Sequence, residues 1–255
     1  MQSSLFIPAE TLTSFLLVMF RMGGMMMFVP MPGLRSGPAL PRVMLSAAAA
    51  FLLFPYWPPK MGASDPALFV GAMLAEAGFG VAVGLLVACL TEVLVMGAQI
   101  VSLQAGYSYA STIDPTTEAE ASYLIVIAQL LGGILLFALG FDRQVLRVLA
   151  RSLTSMPPGS FELSAGMSDL LWRSVSAVFS TGLRLVLPVV ALLAMTDVVL
   201  ALLGRLNTQL QVISLAFPIK MMAGLALLAW TAALWPKVIG GLAERTVEAV
   251  FRLAH

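Results

Sequence analysis

Long apolar runs alternate with short polar breaks along this chain. The first run, Leu12 to Val29, carries Arg21 and is stopped by Pro30, Pro32 and Gly33. A bilayer-spanning helix needs about 20 apolar residues, so this run suffices. A connector with Arg35, Pro38, Pro41 and Arg42 leads to a shorter run, Val43 to Phe54, which Trp57 extends as an aromatic interfacial anchor. Pro55, Pro58, Pro59, Lys60 and Asp65 then form a loop. The segment from Ala67 to Leu103 is too long for one untilted span and is interrupted by Glu76, Glu92 and Gln99. It forms either two helices or one long helix that is not wholly in lipid. Leu124 to Gly140 reads as a clean apolar helix.

The second half repeats the pattern. Leu170 to Leu203 is again overlong and holds Arg173, Arg184, Pro188 and Asp197. Gly204 to Asn207 reads as a turn, and Leu210 to Trp235 as a run broken at Phe217-Pro218 and carrying Lys220. Two segments are amphipathic instead. In Asp142 to Ser155, Arg143, Arg147 and Arg151 recur at i, i+4, i+8, opposite Val145, Leu146, Val148, Leu149 and Leu153. In the tail, 236–255, Val238, Leu242, Val250 and Leu253 oppose Glu244, Glu248 and Arg252. The expectation is an all-α membrane protein with about six transmembrane-like segments, forming one domain over residues 1–255.

One stretch breaks the rule. Gln104 to Tyr123 reads QAGYSYASTIDPTTEAEASY, with glycine, small hydroxylated residues, two tyrosines, an Asp-Pro break and three acids. Such backbone cannot face lipid unsatisfied. It is either a solvated loop or a segment folded back into a cavity, where irregular backbone is tolerated at membrane depth.

Composition sharpens the class. The chain has 255 residues, 60% hydrophobic and 11% charged, against about 25% charged in soluble domains. A net charge of +1 leaves no basic field for nucleic acid. The only histidine is His255 and the only cysteine Cys89, which removes most metal sites, histidine-based catalysis and any internal disulfide. The expectation is no cofactor and no metal. GxSxG, HExxH and GxxxxGK[ST] are absent, so an intramembrane enzyme is disfavoured. The leading residues lack the basic start of a cleaved signal peptide. Met25, Met26 and Met27 suit either a pliable contact or an ordinary apolar core.

Six charges fall within or beside the apolar runs: Arg21, Glu76, Glu92, Arg184, Asp197 and Lys220. Each costs about 2.5–3.5 kcal/mol in lipid on insertion scales. They are therefore expected to be buried at helix contacts, paired or facing water. Equal numbers of each sign permit three pairs. Gly80 and Gly84 form a GxxxG pair, extended at matching spacing by Gly71, Ala75 and Ala88, that suits close helix approach or simply the small-residue content of membrane helices.

The stretch Ser102-Leu103-Gln104-Ala105-Gly106-Tyr107-Ser108-Tyr109-Ala110, followed by Asp114-Pro115, resembles the signature of the FliR/SctT family of type III secretion export apparatus. The resemblance continues in Ser152, Pro157 and Gly159, in Leu206-Asn207, Gln209-Leu210 and Phe217-Pro218, and at the start in Arg21, Pro30 and Pro41-Arg42. Pro115-Thr116-Thr117 is similar to the flagellar branch, where virulence members carry Asp-Asn-Gln-Arg. Gly140-Phe141-Asp142 and Thr112 depart from the flagellar pattern.

The resemblance implies a subunit of an export gate in the bacterial inner membrane, at the flagellar basal body. The partners it implies are FliP, FliQ and FlhB, with membrane lipid around the assembly and unfolded secreted protein as cargo. It implies that several helices are lifted out of the bilayer. It also implies that Gln104 to Tyr123 is a plug loop inside the pore. Gln104, Gly106, Tyr107, Ser108, Tyr109, Ala110, Ile113, Asp114 and Pro115 are its expected plug residues, with Tyr107, Tyr109 and Ile113 as anchors. The alternatives are a secondary transporter, in which Glu76, Glu92 or Asp197 would carry protons or ions, and the virulence homologue.

Overall fold

The structure, a computed structural model, describes residues 8–29, 39–57, 66–107, 123–156, 165–206 and 212–253. Among them the regular structure is helical throughout. The helices are α1 (Ala9–Phe28), α2 (Ala39–Leu52), α3 (Pro66–Ala105), α4 (Tyr123–Ala138), α5 (Phe141–Ser155), α6 (Ala165–Leu206), α7 (Val212–Ala232) and α8 (Trp235–Leu253). A 3-10 turn, Phe54–Tyr56, follows α2.

α1, α3 and α6 are each long and apolar enough to cross a membrane, and the pairs α4–α5 and α7–α8 bring the candidates to five if each bent pair is one span. This is roughly the expected six. The overlong third segment is one helix of 40 residues, α3, and α6 has 42. At 1.5 Å per residue each is roughly 60 Å long, about twice the hydrocarbon thickness.

Two expected breaks are absent. α6 runs on through Gly204 to Leu206 instead of turning there, because nothing at this glycine forces a stop and Leu202, Leu203 and Leu206 continue the apolar surface. α7 continues through Pro218, so the missing N–H is absorbed within the helix. Two breaks do occur. Gly140 takes a left-handed φ of 66° between α4 and α5. Between α7 and α8, the turn at Ala233-Leu234 precedes Pro236, which suits the first turn of a new helix.

The chain packs into two compact units. The first comprises Met1–Cys89, Leu136–Val175 and Ala243–His255. Its core draws on Leu17, Val18, Met22 and Met25 of α1, on Phe79, Val83 and Leu86 of α3, and on Val148 and Leu149 of α5. The i, i+4, i+8 series Leu17, Arg21, Met25 shows that a guanidinium occupies a core position of α1. Trp57 packs its ring 5.5 Å from Phe15 and 4.9 Å from Phe54, and its Nε1 donates to the Ala50 carbonyl at 2.9 Å. The basic residues of α5 are exposed and its apolar side is buried, as its periodicity predicts.

The second unit comprises Leu90–Leu135 and Ser176–Leu242. Leu90, Leu94, Ala98, Val101 and Ala105 of α3 form its core with Ala128 of α4 and Val186, Val189 and Leu193 of α6. At the start of α8 Trp235 and Ile239 are buried, while Val238 and Leu242 are half-buried. Here the packed stripe is rotated one position from the one expected, whereas in the part of α8 that belongs to the first unit Val250 is buried as its periodicity predicts. Trp235, placed outside the expected segment, sets that register.

Candidate functional site

The candidate residues gather in two places, a charge centre in the first unit and, in the second, a charge centre with the base of the central stretch. The first centre begins with close helix approach. A Cβ on Gly80 would fall 2.0 Å from the Arg21 carbonyl oxygen, one on Gly84 2.5 Å from that of Met25, and one on Gly24 2.3 Å from that of Ala77. The Gly80/Gly84 pair therefore admits α1 backbone directly onto α3, and Gly24 returns the accommodation from the other helix. Gly71, the outer member of the predicted stripe, meets nothing within 4 Å.

This proximity lets α1 place Arg21 against Glu76 of α3. Arg21 Nε donates to Glu76 Oε2, and Nη2 donates to Oε1 at 3.0 Å, giving a two-pronged pair. Arg21 Nη1 donates to Ser152 Oγ of α5 at 2.9 Å, and that hydroxyl donates to the Leu149 carbonyl at 2.7 Å. The guanidinium carbon lies 4.7 Å from the centre of the Phe79 ring. The side chains of Arg21 and Glu76 are 0% and 1% exposed. Burial of an ion pair is tolerable when geometry is good and further hydrogen bonds support it, and here each guanidinium nitrogen has a partner. The centre joins three helices and has no route to solvent. It is a clamp.

The second centre lies in the other unit. Lys220 Nζ of α7 pairs with Asp197 Oδ1 of α6 at 2.7 Å. Gln104 Nε2, from the last turn of α3, donates to Asp197 Oδ2 at 3.3 Å. Here Lys220 is 15% exposed and Asp197 44%. Exposure screens such a pair and makes it weak and reversible.

Gln104 leads directly into the base of the central stretch. α3 ends at Ala105, and Gly106 adopts φ 87°, a left-handed conformation that favours glycine. The Gly106 N–H donates to the Leu103 carbonyl at 3.2 Å and the Tyr107 N–H to that of Ser102 at 3.0 Å. This double bond pattern is the Schellman ending of a helix. Tyr107 then turns its phenol to α7 and donates to the Met221 carbonyl at 2.9 Å. Partial burial raises the Tyr107 pKa above its ordinary 10.0, so the phenol keeps the donated proton through neutral pH. The helices come close here too: a Cβ on Gly224 of α7 would meet Ala105 Cβ at 2.8 Å.

Of the expected plug residues, the structure places Gln104, Gly106 and Tyr107; Ser108, Tyr109, Ala110, Ile113, Asp114 and Pro115 lie outside the described residues. Of the six internal charges, four are brought together as two pairs, Arg21–Glu76 and Asp197–Lys220. Glu92 is half-buried. Arg184 departs from the expected burial: it is exposed on α6, because the neighbouring helices pack on the faces bearing Gly182, Val186 and Val189. Sequence reasoning missed Gly24 and Phe79, and it named Ser152 only within the family pattern, not as a partner of Arg21. The Gly23-Gly24 pair one turn after Arg21 and the lone serine on the apolar side of α5 were the available signals. Among the described residues no three His, Cys, Asp or Glu side chains gather as a metal site.

The family model described as bacterial export proteins, family 1, matches residues 12–246. The chain is 26% identical to the flagellar biosynthetic protein FliR of Caulobacter vibrioides, over 84% of this chain and 86% of that one. It is 26% identical to the FliR of Escherichia coli K12, over 76% and 75%. The Bacillus subtilis FliR is 22% identical over 94% of both chains. The match spans both charge centres and the base of the central stretch, and on it the chain belongs to the bacterial export proteins, family 1, with FliR proteins as its relatives.

Proposed function

We propose that this chain is a core subunit of the flagellar type III export gate in the bacterial inner membrane. It forms the channel for unfolded flagellar proteins together with FliP and FliQ, and FlhB associates with that core. Gln104 to Tyr123 serves as the plug. The observation that carries this reading is the attachment of the plug's base: helix α3 ends at a glycine, and the next residue, Tyr107, is held on α7 beside the Asp197–Lys220 pair. A gate must open without unfolding, so its closing segment is best held by a few polar contacts near water rather than by a deep apolar core. Gln104 and Tyr107 provide such contacts. Helices about twice the hydrocarbon thickness suit an assembly that extends beyond the lipid. The subunit does no covalent chemistry, because passage of an unfolded chain requires a seal and a smooth wall.

Deletion of residues 106–119, bridged by a short Gly-Ser linker, tests this in cells expressing all partners. Retained co-purification of the partners with a new leak of ions or small solutes is the expected result. Retained co-purification with unchanged permeability would make the segment a surface loop.

A further inference from the structure

Among the described residues, α6 carries a charge that no carboxylate answers. Arg184 is exposed near the midpoint of the helix. Ser180 and Pro188, one turn to either side, are exposed with it, as are Leu183, Leu187 and Ala191. Among the described residues no carboxylate pairs with its guanidinium, and Asp197 on the same helix is already held by Lys220 and Gln104. Pro188 also has no N–H, which removes the intrahelical donor that would bond the Arg184 carbonyl. The patch therefore presents a five-donor fork and a backbone acceptor on an otherwise apolar surface. Only 17% of the spanning window of α6 is buried within the chain, against 67% for α3.

At 1.5 Å per residue Arg184 lies roughly 30 Å from either end of α6. No second basic residue lies within two turns of Arg184 on α6, so the patch lacks the cluster of cations that lipid-headgroup sites collect. The flanking Leu183 and Leu187 do not suit a water-filled wall. We propose that this face of α6 docks an apolar helix of another chain bearing an aspartate or glutamate at mid-span, which pairs with Arg184. Ser180 and Pro188 have short side chains that let the incoming backbone approach, and a carboxylate accepts the guanidinium fork two-pronged. This rests on the chain acting as a subunit of a membrane assembly and names the surface and chemistry of one of its contacts.

The test uses the full chain co-expressed with the other export-apparatus components and purified in mild detergent. A photo-crosslinking residue replaces Leu187 in a chain that keeps Arg184. The expected adduct is a peptide from an apolar partner segment that contains an Asp or Glu. Arg184→Glu is expected to lower co-purification of that partner roughly thirtyfold, and replacing the identified acid by Arg is expected to restore it. Arg184 is exposed, so the variant leaves the chain's own core intact. Adducts to lipid alone, or unchanged co-purification of Arg184→Glu, would overturn this inference while leaving the export-gate reading in place. A parent chain that co-purifies with no membrane protein would overturn both.

Discussion

Arg21–Glu76 and Asp197–Lys220 are both ion pairs between apolar helices, yet they are built for opposite ends. The first is fully enclosed, two-pronged, backed by Ser152 and Phe79, and set by direct backbone approach at Gly24 and Gly80. The second is single-pronged and nearly half open on its acidic side, and it shares its carboxylate with Gln104. Dry, fully satisfied pairs are costly to break. Wet ones exchange partners easily. The difference teaches that charge on an apolar helix has no single meaning: one pair fixes three helices, and the other holds the base of a segment that, as the proposed plug, must let go.

The comparison breaks most visibly at the clamp. Arg21→Leu takes the guanidinium away from the buried Glu76 carboxylate and is expected to destabilise the chain by about 3–5 kcal/mol, read as loss of folded protein in detergent unfolding. The double change Arg21→Met with Glu76→Leu is expected to recover most of that loss. If the double variant is as unstable as the single one, the pair specifies packing that apolar residues cannot replace. Next in size is Gly80→Ala, whose added carbon would drive α1 off α3. The expected cost is about 1–3 kcal/mol, while Gly71→Ala, with open space around it, is expected to be neutral or slightly stabilising.

At the loop base the effects shrink. Gly106→Ala forces a left-handed alanine and should cost about 1–2 kcal/mol, measured as earlier thermal unfolding with faster proteolysis after α3. Tyr107→Phe removes one hydrogen bond, about 0.5–1.5 kcal/mol. The pH dependence of that loss has a definite sign. The folded-state pKa is raised, so the bond's contribution is fully present at neutral pH and fades only as pH rises through the raised value. Asp197→Asn, at about 1 kcal/mol or less, is the smallest, and added salt should shrink it further while leaving the clamp unaffected.

Much of this was legible in the chain's pattern. The apolar runs gave the helices, the i, i+4, i+8 arginines gave the exposed face of α5, and four of the six internal charges fall in the two centres. Partner choice was not legible. Arg21 meets Glu76 at 55 positions' separation and Ser152 at 131, and no local period encodes that. Gly204 and Pro218 were misleading because a long helix supported along its length absorbs one glycine or one missing N–H. Arg184 is exposed within the chain, and this too was not legible, because hydropathy reports depth along a helix and says nothing of which face its neighbours cover.

The most direct test is membrane permeability in cells whose gates carry Asp197→Ala together with Tyr107→Phe. Partner co-purification and the chain's thermal stability are measured alongside it. The account predicts assembled, near-normally stable gates that leak ions or small solutes in the resting state. Assembled gates as tight as the parent would contradict it, because the base of the central stretch would then have no part in closure.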